Sequence, residues 1–259
     1  MLDQITPLIL TYNEESNLRR VLERLRWAGR VVVLDSGSTD TTIAIARSFV
    51  NVEVFTRAFD SHAAQWNHGL QRCGIDTAWV LALDADYLVP DAMIEEMRSL
   101  APSSETAGYL AQFRYCIQGE PLSGSLYPPV TVLFRRSGSH FEQEGHTQRV
   151  RVRGDVRALV VPIDHDDRKS SARWLASQDR YAALEAELLL KSPWHTLRWQ
   201  DRLRRLLVVT PWLVPLYCLI IGRCLLDGRA GWYYAMQRGV AEAVLSLKLL
   251  EAGLNKKTG

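Results

Sequence analysis

The apolar positions of the first hundred residues alternate between two rhythms. "TPLIL" (6–10), "RVVVLDSG" (30–37), "VEVFT" (52–56) and "AWVLALDAD" (78–86) are short aliphatic or β-branched runs, three of them closed by polar or turn-forming residues. Such runs predict buried strands. Between them, "NEESNLRRVLERLRWA" (13–28) places apolar residues at Leu18, Val21, Leu22 and Leu25, which is a helical spacing. Residues 39–50 open with cap-type residues, 62–73 follow as a third helix, and 90–100 open with Pro-Asp. Strand–helix alternation of this kind predicts right-handed βαβ units, hence an α/β fold with a mostly parallel central sheet flanked by helices.

The rhythm changes after residue 100. "GYLAQFRYCIQG" (108–119), "PPVTVLFRR" (128–136) and "QRVRVRGDVRALVVPIDH" (148–165) read as extended segments, with a mobile loop expected near 119–129. It changes again near residue 170. "SARWLASQDRYAALEAELLLK" (171–191) is helical, "HTLRWQDRLRR" (195–205) is basic, and 206–222 carries no charge. Arginines flank that run at 204, 205, 223 and 229. As a helix it would span roughly 26 Å, short of the ~30 Å hydrocarbon core, and Pro211 and Pro215 interrupt it. The expectation is a segment lying in a membrane interface, with a covering hairpin or dimer contact as the alternative. The chain thus divides at residues 1–169 and 170–259, the first part having halves 1–100 and 101–169.

Composition narrows the classes. With 47% hydrophobic and 23% charged residues the chain is an ordinary globular one, and a net charge of +2 gives no ground for a nucleic-acid partner. Cys73, Cys116, Cys218 and Cys224 form no C-x-x-C or zinc spacing, so thiols in a reducing compartment are expected. The start, "MLDQITPLIL", lacks a basic segment followed by an apolar one and reads as a first strand. The expected location is cytoplasmic.

The candidate chemistry lies where strands end. In a parallel sheet, ligands bind beyond the carboxyl ends of the strands. Asn13 and Glu14, Asp35, and the pair Asp84 and Asp86 all fall at such ends. Two carboxylates spaced D-x-D can share Mg²⁺ or Mn²⁺, which take oxygen ligands and commonly hold substrate phosphates as well. The plain alternative is that these aspartates cap the helix beginning near Pro90. Asp35 and Glu14 can accept hydrogen bonds from a nucleobase or ribose, whereas "SGST" (36–39) can be merely a tight turn.

"TYNEE", "VVVLDSGSTD", "RAFDSHAAQWN" and "LALDAD", in this order and spacing, resemble glycosyltransferase family 2, closest to the lipopolysaccharide-core β-1,4-glucosyltransferases and exopolysaccharide glycosyltransferases. "SARWLASQDRYAALEA" and "GRCLLDGRAGWYYA" extend the similarity over nearly the whole chain. The resemblance implies a GT-A fold in 1–169, a nucleoside-diphosphate sugar donor, probed first as UDP, a divalent metal, and inversion at the anomeric carbon, while the basic and apolar pattern of 170–259 keeps the expectation of a helical, membrane-associating extension. It implies a donor site at Thr11, Tyr12, Asn13, Glu14, Asp35, Ser36, Gly37, Arg57, Gln65 and Asp84. It implies metal ligands at Asp84 and Asp86, the latter counted among the catalytic groups; His146, which matches the family's histidine, is a third ligand or an acceptor contact, and with Thr147 standing where the family has a glutamate, Glu144 and Glu142 are the candidates for the catalytic base. The acceptor would be a glycan or glycolipid at the inner face of the cytoplasmic membrane. Glu144 is the favoured base because it is nearer His146.

Three departures from the family pattern stand out. Thr147 occupies the position where a glutamate follows the histidine, Trp66 replaces a basic residue, and "PPVTVLFRR" lacks the arginine expected before Leu-Phe. "DHDDRKS" (164–170) invites a metal reading for His165, but the D-x-D pair already supplies a metal site, so a structural or acceptor-side place is expected. Two other readings are weaker. A sugar nucleotidyltransferase needs a Gly-rich basic loop where "TYNEESN" stands. A catalytically inactive nucleotide- or glycan-binding scaffold has only the missing glutamate in its favour.

Overall fold

A computed structural model describes residues 1–144 and 147–255. The chain forms two compact units, one of residues 1–116 and 127–168, the other of residues 117–126 and 169–259.

The first unit follows the strand–helix alternation: β1 (Ile5–Thr11), α1 (Leu18–Arg24), β2 (Val31–Asp35), α2 (Thr42–Arg47), β3 (Val52–Thr56), α3 (His62–Arg72), β4 (Trp79–Asp84), β5 (Tyr87–Leu88) and α4 (Asp91–Ser99). β6 (Thr106–Ala111) and β7 (Phe113–Ile117) come next, β7 ending in the second unit, which also contains the two-residue β8 (Glu120–Pro121). β9 (Val130–Arg135), β10 (His140–Glu144), β11 (Thr147–Arg151), β12 (Asp155–Ala158) and β13 (Ile163–His165) complete the first unit.

The main sheet has the order β12-β6-β9-β4-β1-β2-β3. β4, β1, β2 and β3 run parallel, β12 is parallel to β6, and β9 is antiparallel to both its neighbours. The two-residue side-chain period of a strand sends alternate residues to opposite faces. Ile9, Val31, Val33, Leu81 and Leu83 pack with Leu18 and Leu22 of α1 and Met93 and Met97 of α4. Leu8, Val32, Leu34, Val80 and Ala82 pack instead with Ala63, Trp66 and Leu70 of α3. Because both faces are covered, the strands read as unbroken apolar runs. Gly69 lets α3 press onto β1, since a Cβ there would lie 2.7 Å from a methyl of Leu8.

Two helices are shorter than the sequence suggests. Residues 13–17 do not join α1, because Asn13 sits at φ +56°, in the left-handed region, and the amides of Asn13 and Glu14 bond to Ser38 and Thr42. Residues 39–41 stay outside α2 because Asp40 accepts a 3.0 Å bond from the Thr42 amide. The helix at residue 91 begins after Pro90 with no side-chain cap, so Asp84 and Asp86 do not cap it.

The second unit contains α5 (Ser171–Lys191), α6 (Trp199–Arg204), α7 (Thr210–Ile220) and α8 (Gly228–Asn255). Ala182, Ala186 and Leu189 of α5 pack with Leu245 and Leu249 of α8. The segment expected to be mobile is instead held along 123–126. Ser123 donates to Asp227 from its amide at 2.8 Å and from its hydroxyl at 2.5 Å, and the Leu126 amide donates to the Tyr234 hydroxyl at 2.8 Å. No single helix among the described residues is long and apolar enough to cross a membrane. Thr210–Ile220 and Cys224–Leu254 reach that length and apolarity only together, across a 75° bend.

Candidate active site

The carboxyl edge of the sheet gathers the strand ends. Asp84 pairs in register with Leu10, and Thr11 with Asp35, so the ends of β4, β1 and β2 lie side by side. Asp84 closes β4, while Asp86 lies beyond the strand, immediately before β5.

Asp35 is fully buried. Its Oδ1 accepts from the hydroxyls of Thr11 (2.9 Å) and Ser38 (2.5 Å), and its Oδ2 from the amides of Gly37 (2.9 Å) and Ser38 (2.7 Å). A carboxylate needs such partners to be buried at all. Asp35 thus accepts one bond from β1, through Thr11, and three from its own turn. These bonds fix the turn that follows β2. Gly37 supplies the φ of +89° that this turn requires.

The loop after β1 interlocks with that turn. The Asn13 amide donates to the Ser38 hydroxyl at 2.7 Å, and Asn13 Oδ1 accepts from the Thr39 amide at 2.8 Å. Tyr12 next to it is half exposed. Behind the turn, Gln65 Nε2 donates to the Ser36 hydroxyl at 2.8 Å and Gln65 Oε1 accepts from Arg57 at 2.5 Å. Arg57 also forms an ion pair with Asp60 at 2.6 Å, which raises the guanidinium pKa. Of these groups, buried Gln65 is a brace and exposed Tyr12 is open to a ligand.

The D-x-D pair has a neighbour that its place in the sequence does not suggest. β13 runs antiparallel to β5, aligning His165 with Tyr87, and the Asp166 amide donates to the Asp86 carbonyl at 3.1 Å. This register brings His165 Nε2 to 3.3 Å from Asp86 Oδ2, with both side chains mostly buried. Burial disfavours the imidazolium, but the Asp86 carboxylate, by charge and by hydrogen bond, and then Asp84 and Asp167 outweigh it, so the His165 pKa is raised. The rings of Tyr87, Tyr115 and Tyr127 stand edge-on around the imidazole, with centroids at 5.3, 4.7 and 4.6 Å. The Tyr87 and Tyr127 hydroxyls bond each other, and burial, then the Asp84 charge, raises the pKa of both phenols.

The remainder of "DHDDR" holds this histidine in place. Asp166 is 1% exposed and accepts from Arg20 Nη1 at 2.7 Å and Arg168 Nε at 2.8 Å. Fully buried Asn17 donates to Asp167 at 2.8 Å and to Glu14 at 3.0 Å, and it accepts from the Arg168 amide at 2.8 Å. The start of α1 and the end of β13 are therefore joined by one polar network, which also takes in the expected donor residue Glu14.

Among the described residues, no three carboxylates, imidazoles or thiols gather into a complete cation cage. The Asp86–His165 pair is still a fitting partial one. Donor atoms 3.3 Å apart are spaced like neighbouring ligands of one octahedral ion, about 3 Å for bonds near 2.1 Å. Carboxylate plus imidazole suits Mn²⁺ well, and Mg²⁺ ordinarily takes only one or two protein carboxylates alongside substrate phosphate. Asp86 and His165, with Asp84 beside them, would hold the cation in company with a diphosphate.

β10 and β11 form a separate hairpin. Glu142 is exposed there, bonded to Arg151 at 2.7 Å and to His140 at 3.2 Å, and Arg151 followed by His140 lowers its pKa. A carboxylate so stabilised is a poor proton acceptor. His146 and the Glu144 side chain, the other residues expected near this hairpin, lie outside the described residues. Trp66, which departs from the family pattern, faces the core and stacks on Phe141 at 5.1 Å. Asn67 and Phe141 exchange bonds of 2.8 and 2.9 Å, tying α3 to β10.

The model of the family described as Glycosyl transferase family 2 matches residues 8–167, which include Asp35, Asp84, Asp86 and His165. The chain belongs to glycosyl transferase family 2. The lipopolysaccharide core biosynthesis glycosyltransferase LpsC of Rhizobium meliloti is 30% identical over 139 residues, which is 51% of this chain and 48% of that protein. The O-antigen chain rhamnosyltransferase RfbN of Salmonella typhimurium is 33% identical over 100 residues, 36% of this chain and 30% of its own. The chain spans about half the length, or less, of the curated relatives it matches. Among solved structures, S. aureus TarS 1–349 aligns with a TM-score of 0.47 at 12% identity, over 98% of this chain and 91% of that one. Both the family membership and the mostly parallel α/β architecture expected from the sequence are found.

Proposed function

We propose that this family 2 chain is an inverting glycosyltransferase that moves a sugar from a nucleoside-diphosphate sugar, with UDP as the nucleotide to test first, to a glycan or glycolipid acceptor of the cell envelope. The observation that carries the reading is the 3.3 Å approach of His165 to Asp86 at the carboxyl edge, inside the family-matched segment. The relatives named for lipopolysaccharide core and O-antigen assembly support that acceptor class.

In this reading Tyr12 faces the nucleoside, and Asn13, Glu14, Asp35, Ser36 and Gly37 form the loop wall beside it. Gln65 and Arg57 hold that wall in place. Asp84, Asp86 and His165 form the diphosphate end of the site. A bound divalent cation would offset the charge of the departing nucleoside diphosphate. Inversion needs a carboxylate to take the acceptor hydroxyl proton, and Glu144 is assigned that role because Glu142 is already engaged by Arg151 and His140.

The test is nucleotide release from UDP-sugars in the presence of lipopolysaccharide-core or glycolipid acceptors, for the wild type, Glu144→Gln and Glu142→Gln. Loss of general-base catalysis in Glu144→Gln should lower turnover by about 10²- to 10⁴-fold with donor binding unchanged, while Glu142→Gln stays near wild type. An active wild type indifferent to Glu144→Gln would move the base elsewhere. A wild type that binds nucleotide without turnover on any donor–acceptor pair would contradict the enzyme reading.

A further inference from the structure

The second unit leaves a large apolar surface uncovered. On α7 the exposed residues are Trp212, Leu213, Leu216, Tyr217 and Ile220. Their spacing places them along one side of the helix. The other side is occupied: Cys218 and Leu219 are buried, and Pro215 lies close against Gly239 of α8. The exposed surface continues through Ile221 and the turn at Leu225 and Leu226 into Trp232, Tyr233 and Met236 of α8. Trp212 is 77% exposed and Leu226 78%. Patches of this extent mark an interaction site.

The charges around this surface identify what it fits. α7 contains no charged residue, and between residues 206 and 241 the chain has one acid, Asp227, against Arg223, Arg229 and Arg238. Asp227 is engaged by the amide and hydroxyl of Ser123. Arg223 and Arg229 are exposed at the bend beside Leu225 and Leu226. Indole rings prefer the boundary between headgroups and acyl chains, and arginine adds attraction to anionic lipid. A protein partner with an apolar groove would account for the stripe but not for exposed tryptophans bordered by arginines, with the single acid engaged by Ser123.

We propose that the exposed side of α7, the turn at residues 224–227 and the first turns of α8 form one docking face, which seats in the interface of an anionic lipid bilayer. The apolar side chains enter the acyl boundary, and Arg223 and Arg229 remain at headgroup level. With neither α7 nor α8 long and apolar enough to span alone, the bent pair lies along the surface. This inference goes beyond the sugar-transfer reading and is tested without nucleotide, so either can fail without the other.

The experiment is co-sedimentation of the full chain with phosphatidylcholine vesicles, with and without phosphatidylglycerol, for the wild type and for a Trp212→Glu, Ile220→Glu, Leu226→Glu triple variant. These positions are exposed, so circular dichroism of the variant should match the wild type. The expected result is binding to the anionic vesicles that weakens as salt is raised and falls by at least about tenfold in the triple variant. Should the variant not fold, quenching of wild-type tryptophan fluorescence by brominated phosphatidylglycerol replaces it, with quenching expected. Absence of binding by the folded wild type, binding that the variant retains, tryptophans that brominated lipid leaves unquenched, or a stable dimer that does not bind vesicles would each overturn the proposal.

Discussion

His165 Nε2 lies 3.3 Å from Asp86 Oδ2, although the two residues are far apart in sequence and meet only because two-residue β5 pairs with three-residue β13. The relationship makes a spectroscopic prediction. With Mn²⁺ and UDP bound, pulsed electron paramagnetic resonance should detect a nitrogen coupled to the metal. His165→Ala should remove that coupling, whereas His140→Ala should leave it unchanged. A coupling that persists in His165→Ala would assign the nitrogen to another residue.

The ion pairs around α1 differ in what they should contribute. Asp166 is 1% exposed and relies on Arg20 and Arg168. Arg20→Ala leaves a buried carboxylate short of a cation, and unfolding by urea should show a loss of about 3 kcal/mol. Arg24 pairs with Asp91 in the open at 3.0 Å, and Arg24→Ala should cost no more than about 0.5 kcal/mol. Equal losses in the two variants would mean that the network does not hold the end of β13.

All four cysteines are free thiols and buried. Burial pushes Cys73, Cys116 and Cys218 up to about 11, from an ordinary value of 9.0. Only about one in a thousand of each would be thiolate at pH 8. Ellman's reagent should therefore titrate none of these three in the native chain, and all of them in guanidinium. The linked effect on stability has a definite sign. The native state keeps these protons longer than the unfolded state, so stability present below pH 9 declines as pH rises from 9 through 11. A denaturation midpoint that is flat over that range would contradict the assignment.

Much of this was legible in the sequence, for reasons that particular residues make clear. Strands buried on both faces write themselves as apolar runs, so β1, β2 and β4 and the acids at their ends could be placed by inspection. Asp35 was visible as a strand-end carboxylate, but its four hydrogen bonds come from Thr11 and its own turn, a closure that only the folded backbone displays. His165 ends a strand just as Asp84 does, and that was its signal. Its acidic neighbours obscured it, because Asp166 and Asp167 bond to α1 while His165 turns toward Asp86. Trp66 looked like a change at the donor edge because α3 adjoins that edge, yet it lies on the core side of the helix. The 119–129 segment looked mobile from its glycines and prolines, while the bonds that hold it come from Asp227 and Tyr234, about a hundred residues away.

The proposed metal-dependent nucleotide-sugar site lies at the carboxyl edge around Asp84, Asp86 and His165. Isothermal titration of the full chain with UDP and with GDP, each with and without Mn²⁺, beside Asp86→Ala, tests it most directly. Binding of one nucleotide that requires Mn²⁺ and disappears in Asp86→Ala is expected. Binding of neither nucleotide by the folded chain, or metal-independent binding that Asp86→Ala retains, would contradict it.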